Sequence, residues 1–151
     1  MHAAYYGGMI SLRRARTTAI LGLLAASVAI ALAGCSGSPT APITSYPGEP
    51  KGVTAPPSSA GGAPFSVWLK NGAQFTVTTY GSSTCPPVGT DFAVTGTNQL
   101  TVAIKEYKGK VCTMDYVPHT TVFATPNDIN PHKDVKVTVQ ALRFTLPALA
   151  K

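Results

Sequence analysis

Valine, threonine, phenylalanine and tyrosine alternate with polar residues from Phe65 to about Leu149, and turn-forming residues recur about every eight to twelve positions. This spacing is typical of an all-β domain, and no stretch carries the apolar period of an amphipathic helix. We predict a small antiparallel β-sandwich or open barrel of about seven strands over residues 65–151. The predicted strands are 65–70, 73–79, 91–95, 100–107, 111–117, 120–124 and 135–144.

The first predicted hairpin, in FSVWLKNGAQFTV, has two candidate registers. A two-residue turn at Asn71-Gly72 mixes polar and apolar residues on both faces of the hairpin. A three-residue loop over Lys70–Gly72 pairs Val67 with Phe75, and one face becomes uniformly apolar. Because a slip of one residue moves every side chain to the other face, burial favours the three-residue loop. This register points Trp68 away from the core.

The last predicted strand loses its alternation partway along. The valines of Val135–Val139 share one face, whereas the apolar residues of Leu142–Leu146 continue on the other. A β-bulge near Ala141, or a switch of the strand between two sheets, accounts for this change of phase.

The N-terminal segment has the three parts of a secretory signal. Three arginines within residues 13–16 form a basic flank, and the uncharged apolar run 17–35 follows and ends in small residues. Because the residues ahead of this flank are unusual for a signal, we expect translation to start at Met9. We assign residues 1–34 to a signal peptide that the mature protein lacks.

The apolar run ends in Leu32-Ala33-Gly34-Cys35, which resembles the lipobox of bacterial lipoproteins at all four positions. In that family the signal is cleaved before the cysteine, whose sulfur receives a diacylglycerol and whose amino group is often acylated. The resemblance implies that Cys35 is the lipidated first residue, with palmitate among its acyl chains. Two or three acyl chains hold a protein stably on a membrane. We therefore expect the protein on the outer face of the cytoplasmic membrane.

Residues 35–64 are dominated by proline, glycine, serine, threonine and alanine. This composition buries too little apolar surface to offset the entropy of ordering, so we predict a disordered tether. The mature chain carries nine basic and six acidic residues, a net charge of +3. The basic residues are scattered, and Lys105, Lys108 and Lys110 flank one predicted turn. This distribution argues against nucleic acid as a partner, because such proteins cluster their basic residues on one face.

Lipidation accounts for one of the three cysteines, and Cys85 and Cys112 remain in the predicted domain. Outside the cytoplasm, two such cysteines form a disulfide by default. A metal site requires more cysteine or histidine ligands at short spacing, and redox motifs place two cysteines close together. We predict a Cys85–Cys112 disulfide, whose loop of about 27 residues stabilises the fold by about 3 kcal/mol on the chain-entropy model.

Three other groups of residues contain side chains that can be reactive. Ser82 and Ser83 lack the Gly-x-Ser-x-Gly context of a hydrolase nucleophile. Asp115 and His119 could bind a metal or transfer protons, but no third ligand lies at metal-site spacing. The segment TPNDINPHKD, residues 125–134, spaces its polar residues like a calcium loop, yet it lacks the central glycine and the closing acid. We therefore predict no catalytic residue, cofactor or metal ion.

The domain also resembles small lipoproteins of high-GC Gram-positive bacteria. These carry Gly-Ser-Ser-x-Cys-Pro and a later Cys-Thr-x-Asp-x-x-Pro, which match residues 81–86 and 112–118. The match spans roughly Phe65 to Val139, and it implies the same disulfide and the same location. The C-terminal ALRFTLPALAK departs from the pattern, because it is apolar where a glycine-rich loop is expected.

These expectations describe a membrane-anchored lipoprotein whose domain is a non-enzymatic binding module for an envelope protein or a cell-wall component. The candidate binding surface lies where the loop of residues 80–90 meets Asp115–His119. It consists of Tyr80, Ser82, Ser83, Asp115, Tyr116 and His119. One alternative is a cell-envelope hydrolase or transferase that uses Asp115 and His119, and another is a purely structural surface protein.

Overall fold

The computed structural model describes residues 40–150, and the predicted signal peptide and Cys35 lie outside the described residues. Within this range eight strands form two sheets of four strands each, so the prediction of an all-β sandwich is confirmed. The strands are β1 Thr44–Pro47, β2 Trp68–Leu69, β3 Gln74–Gly81, β4 Gly89–Gly96, β5 Gln99–Ile104, β6 Val117–Ala124, β7 Val135–Val139 and β8 Leu142–Leu146. Among residues 40–150, no helix is both long and apolar enough to traverse a bilayer.

The chain crosses three times between the two sheets. The first sheet has the strand order β1-β6-β3-β2 and is antiparallel throughout. The second has the order β4-β5-β7-β8, and β5 and β7 run parallel. Parallel neighbours require a crossover connection, which β6 of the first sheet provides. Residues 82–88, 105–116 and 125–134 are the three connections between the sheets.

The hydrophobic core lies between the sheets and is centred on three phenylalanines. Phe75 and Phe123 of the first sheet stack with their ring centroids 5.4 Å apart. Phe92 of the second sheet meets both rings edge-on, at 5.5 and 5.4 Å. The second sheet surrounds these rings with the buried side chains of Leu100, Val102, Val135, Val137, Val139 and Leu146. Aromatic pairs of this geometry add about 0.5–1.5 kcal/mol beyond the area that they bury.

The folded domain begins well before residue 65. Residues 44–47 form β1, which pairs antiparallel with β6 so that Thr44 lies opposite Val122 and Pro47 opposite His119. The prediction of disorder is wrong for this segment. The prediction of disorder rested on the average composition of residues 35–64. It overlooked the short run Ile-Thr-Ser-Tyr at residues 43–46, which can pair with the open edge of a sheet. Because β6 supplies the hydrogen-bond partners, β1 needs little apolar burial of its own.

The first hairpin adopts the register that sequence reasoning rejected. Trp68 pairs with Phe75 and Leu69 with Gln74, so the prediction that Trp68 points away from the core is wrong. The indole ring packs against the core, and its N–H donates to the carbonyl oxygen of Pro147 at 2.7 Å. A tryptophan whose ring packs against a core usually finds a partner for its N–H in this way.

The reason for this error is that both faces of the first sheet are covered. Phe65 pairs with Thr78 on the outer face and is buried there. On the same face the hydroxyl of Thr120 donates to the carbonyl oxygen of Gly48, in the chain that follows β1. A register with one uniformly apolar face suits a sheet whose other face is open to water. With both faces covered, Phe65 remains buried in the register that also places Trp68 on the core side.

Two predicted strands differ in the structure. The change of phase at Ala141 is a two-residue turn between β7 and β8, with Val139 opposite Leu142, rather than a bulge or a sheet switch. The predicted strand over 111–117 is a loop as far as Val117, where β6 begins. Side chains of this loop bond to residues 82–84 instead of joining a ladder, because the disulfide holds the two segments together.

Candidate functional site

Cys85 and Cys112 form the predicted disulfide, with their Cα atoms 5.5 Å apart. The bond joins the loop that leaves β3 to the loop that leads into β6, at one end of the sandwich. We call the two joined segments, Ser82–Cys85 and Val111–Tyr116, the disulfide tip. The disulfide thus brings together the two segments that carry most of the candidate binding residues.

Hydroxyl groups and one carboxylate link the two halves of the disulfide tip. The hydroxyl oxygens of Ser82 and Thr113 lie 2.8 Å apart, and the backbone N–H of Thr113 donates to Thr84 Oγ1 at 3.0 Å. The backbone N–H of Ser83 donates to Asp115 Oδ1 at 3.0 Å, and the Thr113 hydroxyl donates to the same oxygen. These bonds run across the disulfide, so they fix the backbone on both sides of it.

Asp115 is exposed, but its carboxylate is occupied by these hydrogen bonds. Bonds from Ser83, and then from Thr113, lower the pKa of Asp115 from its usual 3.8 to about 2. Hydrogen bonds to the ionised form of a carboxyl group favour that form. The stability that they contribute is present above about pH 4 and is lost as the pH falls toward 2. Near neutral pH, Asp115 therefore accepts hydrogen bonds that join the two segments of the disulfide tip. It is a poor proton donor at that pH.

Tyr80 and Tyr116 stack on the outer face of the first sheet, with their ring centroids 5.6 Å apart. The Tyr80 hydroxyl donates to the carboxylate of Glu49, and the Tyr116 hydroxyl donates to the carbonyl oxygen of Gly62 at 2.9 Å. Burial, and then the bond to Glu49, raise the pKa of Tyr80 to about 12. The two tyrosines thus clamp the segment after β1 onto the sheet.

Gly62 allows the ring of Tyr116 to lie directly against the backbone. Its φ is +81°, and a Cβ at this position would overlap the ring. We expect Gly62→Ala to lower the free energy of unfolding by clearly more than the roughly 1 kcal/mol of a left-handed alanine, because the ring must also move. Gly61→Ala is the matched control, since Gly61 has a φ of +77° and no atom lies within 4 Å of an added Cβ. Urea unfolding measures both, and equal losses would contradict the contact.

His119 lies on the opposite face of the first sheet from Tyr80. On β6, His119 shares the inward face with Phe123, whereas its neighbour Pro118 pairs with Tyr80 on the outer face. His119 is 8% exposed, and its Nε2 is buried with no hydrogen-bond partner among the described residues. Burial lowers the pKa of His119. The structure therefore brings five of the six candidate residues to the tip and its adjoining outer face, and leaves His119 apart.

The pKa shift of His119 predicts a pH-dependent stability. Because the folded-state pKa is lowered, the unfolded chain binds more protons below about pH 6.5, and stability falls as the pH drops through that value. We expect His119→Gln to reduce the difference in urea midpoint between about pH 7.5 and pH 5. His132→Gln, at an exposed position, should leave that difference unchanged. An unaltered pH dependence in His119→Gln would mean that the ring is solvated in the folded protein.

The alternative of a hydrolase or transferase requires Asp115, His119 and a serine within hydrogen-bond reach of one another. Asp115 instead accepts from the backbone of Ser83 and from Thr113. Burial is the cause of the lowered pKa of His119, with no contribution from a carboxylate. In the described part of the chain, His119 Nε2 has no hydrogen-bond partner, so the imidazole is bonded to neither serine of the tip.

The calcium-like segment 125–134 is held by its own hydrogen bonds. Asn130 Oδ1 accepts the backbone N–H of His132, and Asp134 Oδ1 accepts that of Ala148, both at 2.9 Å. Asn98 exchanges two further bonds with the backbone of Asn130. No group of three or more His, Cys, Asp or Glu side chains within residues 40–150 is placed to hold a metal ion.

Sequence reasoning missed two features of the disulfide tip. The first is the pair of threonines, Thr84 and Thr113, that complete its hydrogen bonds. The abundance of serine and threonine on both sides of the cysteines was the available signal, because these side chains readily bond to nearby backbone. The second is exposure: Val111 is 93% exposed and Met114 is fully exposed. The assumption of a strand over 111–117 concealed this.

No protein-family model matches the chain, and no match was found among curated proteins or solved structures.

Proposed function

We propose that this protein is a membrane-anchored extracytoplasmic lipoprotein whose β-sandwich is a non-enzymatic module that binds an envelope protein. In this proposal Cys35 carries a diacylglycerol on the outer face of the cytoplasmic membrane. The binding role rests on one observation, which is that the disulfide tip holds apolar side chains out in solvent on a fixed backbone.

A mobile loop could turn its apolar side chains toward the protein, but the tip is fixed. The disulfide lies just ahead of Met114, and Thr113 and Asp115 on either side of it are hydrogen-bonded. Val111, Met114 and the 63%-exposed Tyr116 nevertheless face solvent. Clustered apolar side chains that remain exposed mark contact surfaces, and methionine adapts well to a partner's shape. An apolar protein surface is the partner that fits this tip.

The early start of the domain limits how far the sandwich can lie from the membrane. The chain enters the first sheet at Thr44, beside Val122, whereas the tip leads into β6 at Val117. Along a strand these two positions are about 17 Å apart. Eight residues, 36–43, connect Cys35 to β1 and can span at most about 30 Å. In this proposal the sandwich therefore begins within about 30 Å of Cys35.

Mass spectrometry of the N-terminal peptide of the mature protein tests the lipid anchor. We expect Cys35 at the amino terminus with the mass of a diacylglycerol, and we expect Cys35→Ala to lose both the modification and the cleavage. An unmodified Cys35 inside the mature chain would contradict the anchor without bearing on the binding role.

Photo-crosslinking on intact cells tests the binding role. A photoreactive amino acid replaces Met114 in one variant and Val53, on the exposed segment after β1, in the control. We expect a discrete protein adduct from position 114 that is absent from position 53, and we expect Val111→Ser to diminish it. No adduct at 114, or the same adducts at both positions, would favour a purely structural surface protein.

A further inference from the structure

The outer face of the second sheet is open, in contrast to that of the first. The alternation along β5, β7 and β8 places six polar side chains on this face, and together they line a groove of about 500 Å³. They are Gln99, Thr101, Lys136, Thr138, Arg143 and Thr145. In the described part of the chain, no carboxylate lines the groove.

The two cations of the groove are neighbours. Lys136 lies opposite Thr145, and Arg143 lies opposite Thr138, so the two charged residues are diagonal partners on adjacent strands. Diagonal partners are about 7–8 Å apart, which is no more than the screening length of physiological salt, so the two positive charges repel each other. Within residues 40–150, the one recorded salt bridge joins Lys108 to Glu106, elsewhere on the surface. Lys136 and Arg143 thus share a groove that holds no negative charge, which an anionic ligand would supply.

The hydroxyl groups of the groove indicate which groups an anionic ligand should carry beside its negative charge. Thr95 and Thr101 share a hydrogen bond of 3.3 Å, whereas the hydroxyls of Thr138 and Thr145, beside the cations, are available to a ligand. A guanidinium and an ammonium together suit a phosphate group. Threonine hydroxyls can both donate to and accept from the hydroxyl groups of a polyol or a sugar.

We propose that this groove binds an anionic envelope polymer in which phosphodiester groups alternate with hydroxyl-bearing units. Lys136 and Arg143 bind one phosphodiester, and Thr138 and Thr145 bind the hydroxyl groups next to it. The choice of an envelope polymer rests on the proposed extracytoplasmic location, whereas the binding itself depends on neither the lipid anchor nor the disulfide tip. The groove lies on a sheet face and the tip at one end of the sandwich, so one molecule can engage both ligands.

Titration of the full-length chain, purified in a nonionic detergent, with synthetic poly(glycerol phosphate) at low salt tests this proposal. We expect Lys136→Gln/Arg143→Gln to weaken binding by roughly a hundredfold, because each lost charge-assisted hydrogen bond costs about a factor of ten or more. Thr138→Val should weaken binding by a smaller factor at unchanged net charge. Neutral dextran should not bind.

Lys51→Gln/Lys70→Gln is the matched control, because it removes two exposed lysines on the side of the first sheet. We expect this variant to retain at least about a third of the wild-type affinity, since it changes only the net charge. The proposal is overturned if the wild type does not bind the polymer, or if both double variants lose affinity equally. If inorganic phosphate displaces the polymer at the same phosphate concentration, the site binds small anions, and the proposal of a polymeric ligand is overturned. Each result is independent of whether Cys35 is lipidated.

Discussion

Phe123→Ala should lower the free energy of unfolding by about 3–5 kcal/mol, which would leave a domain of this size marginally stable. Phe123 is completely buried, stacks on Phe75 and meets Phe92 edge-on. Gly89 packs so closely that a Cβ there would lie 2.8 Å from the ring. Since strands on all sides are held by ladder hydrogen bonds, the resulting cavity cannot collapse fully. Urea unfolding followed by the fluorescence of Trp68 measures the loss.

Phe144→Ala is the control for this substitution, because it removes the same atoms from a different environment. Phe144 is only partly buried and lies on β8, at the edge of the second sheet. We expect a loss well below that of Phe123→Ala, since the edge side chain buries less area. Equal losses would contradict the central position of Phe123 in the core.

Removal of the Cys85–Cys112 disulfide should cost about 3 kcal/mol, because the unfolded chain regains the entropy of a closed loop of 27 residues. We expect Cys85→Ala/Cys112→Ala to show this loss in urea unfolding. The hydrogen bonds of Asp115 and Thr113 cross the same junction, so the tip should also become accessible to protease near Met114. That second effect measures local opening, which global stability alone does not report.

The single variants provide the control for the disulfide. Cys85→Ala and Cys112→Ala each break the same bond, so each should lose nearly the full amount, and the double variant should lose little more. Additive losses from the two single variants would mean that the cysteines act through separate packing contacts. Each variant is compared with the wild type under reducing conditions, where we expect the differences to shrink.

The all-β class and the disulfide could be predicted because each depends on a local or countable property. The two-residue alternation follows from the pleat of a strand, and β3, β4, β5 and β6 each overlap a strand expected from it. The disulfide followed from two cysteines left in a domain expected outside the cytoplasm. Neither argument needed to know which strand lies next to which.

Only part of the candidate site could be predicted from local or countable properties of the sequence. The disulfide predicted that Ser83 and Asp115 lie at one end of the domain, and the structure joins them by a hydrogen bond. His119 lies between the predicted strands 111–117 and 120–124, so no side of a sheet was predicted for it, whereas β6 runs unbroken from Val117 to Ala124. The groove at Lys136 and Arg143 escaped notice because the two residues were assigned to one strand, whereas a turn places them on adjacent strands.

By itself the sequence determined the alternating pattern of the strands and the identity of the two cysteines. It also defined the signal-like segment on which the proposed anchor rests. Only the tertiary structure decided the register of the first hairpin, the attachment of residues 44–47 to β6 and the exposure of Met114. The physical reason is that these three outcomes depend on which surfaces other segments cover. A sheet edge or a sheet face exists only after distant strands have paired, and local residue patterns do not specify that pairing.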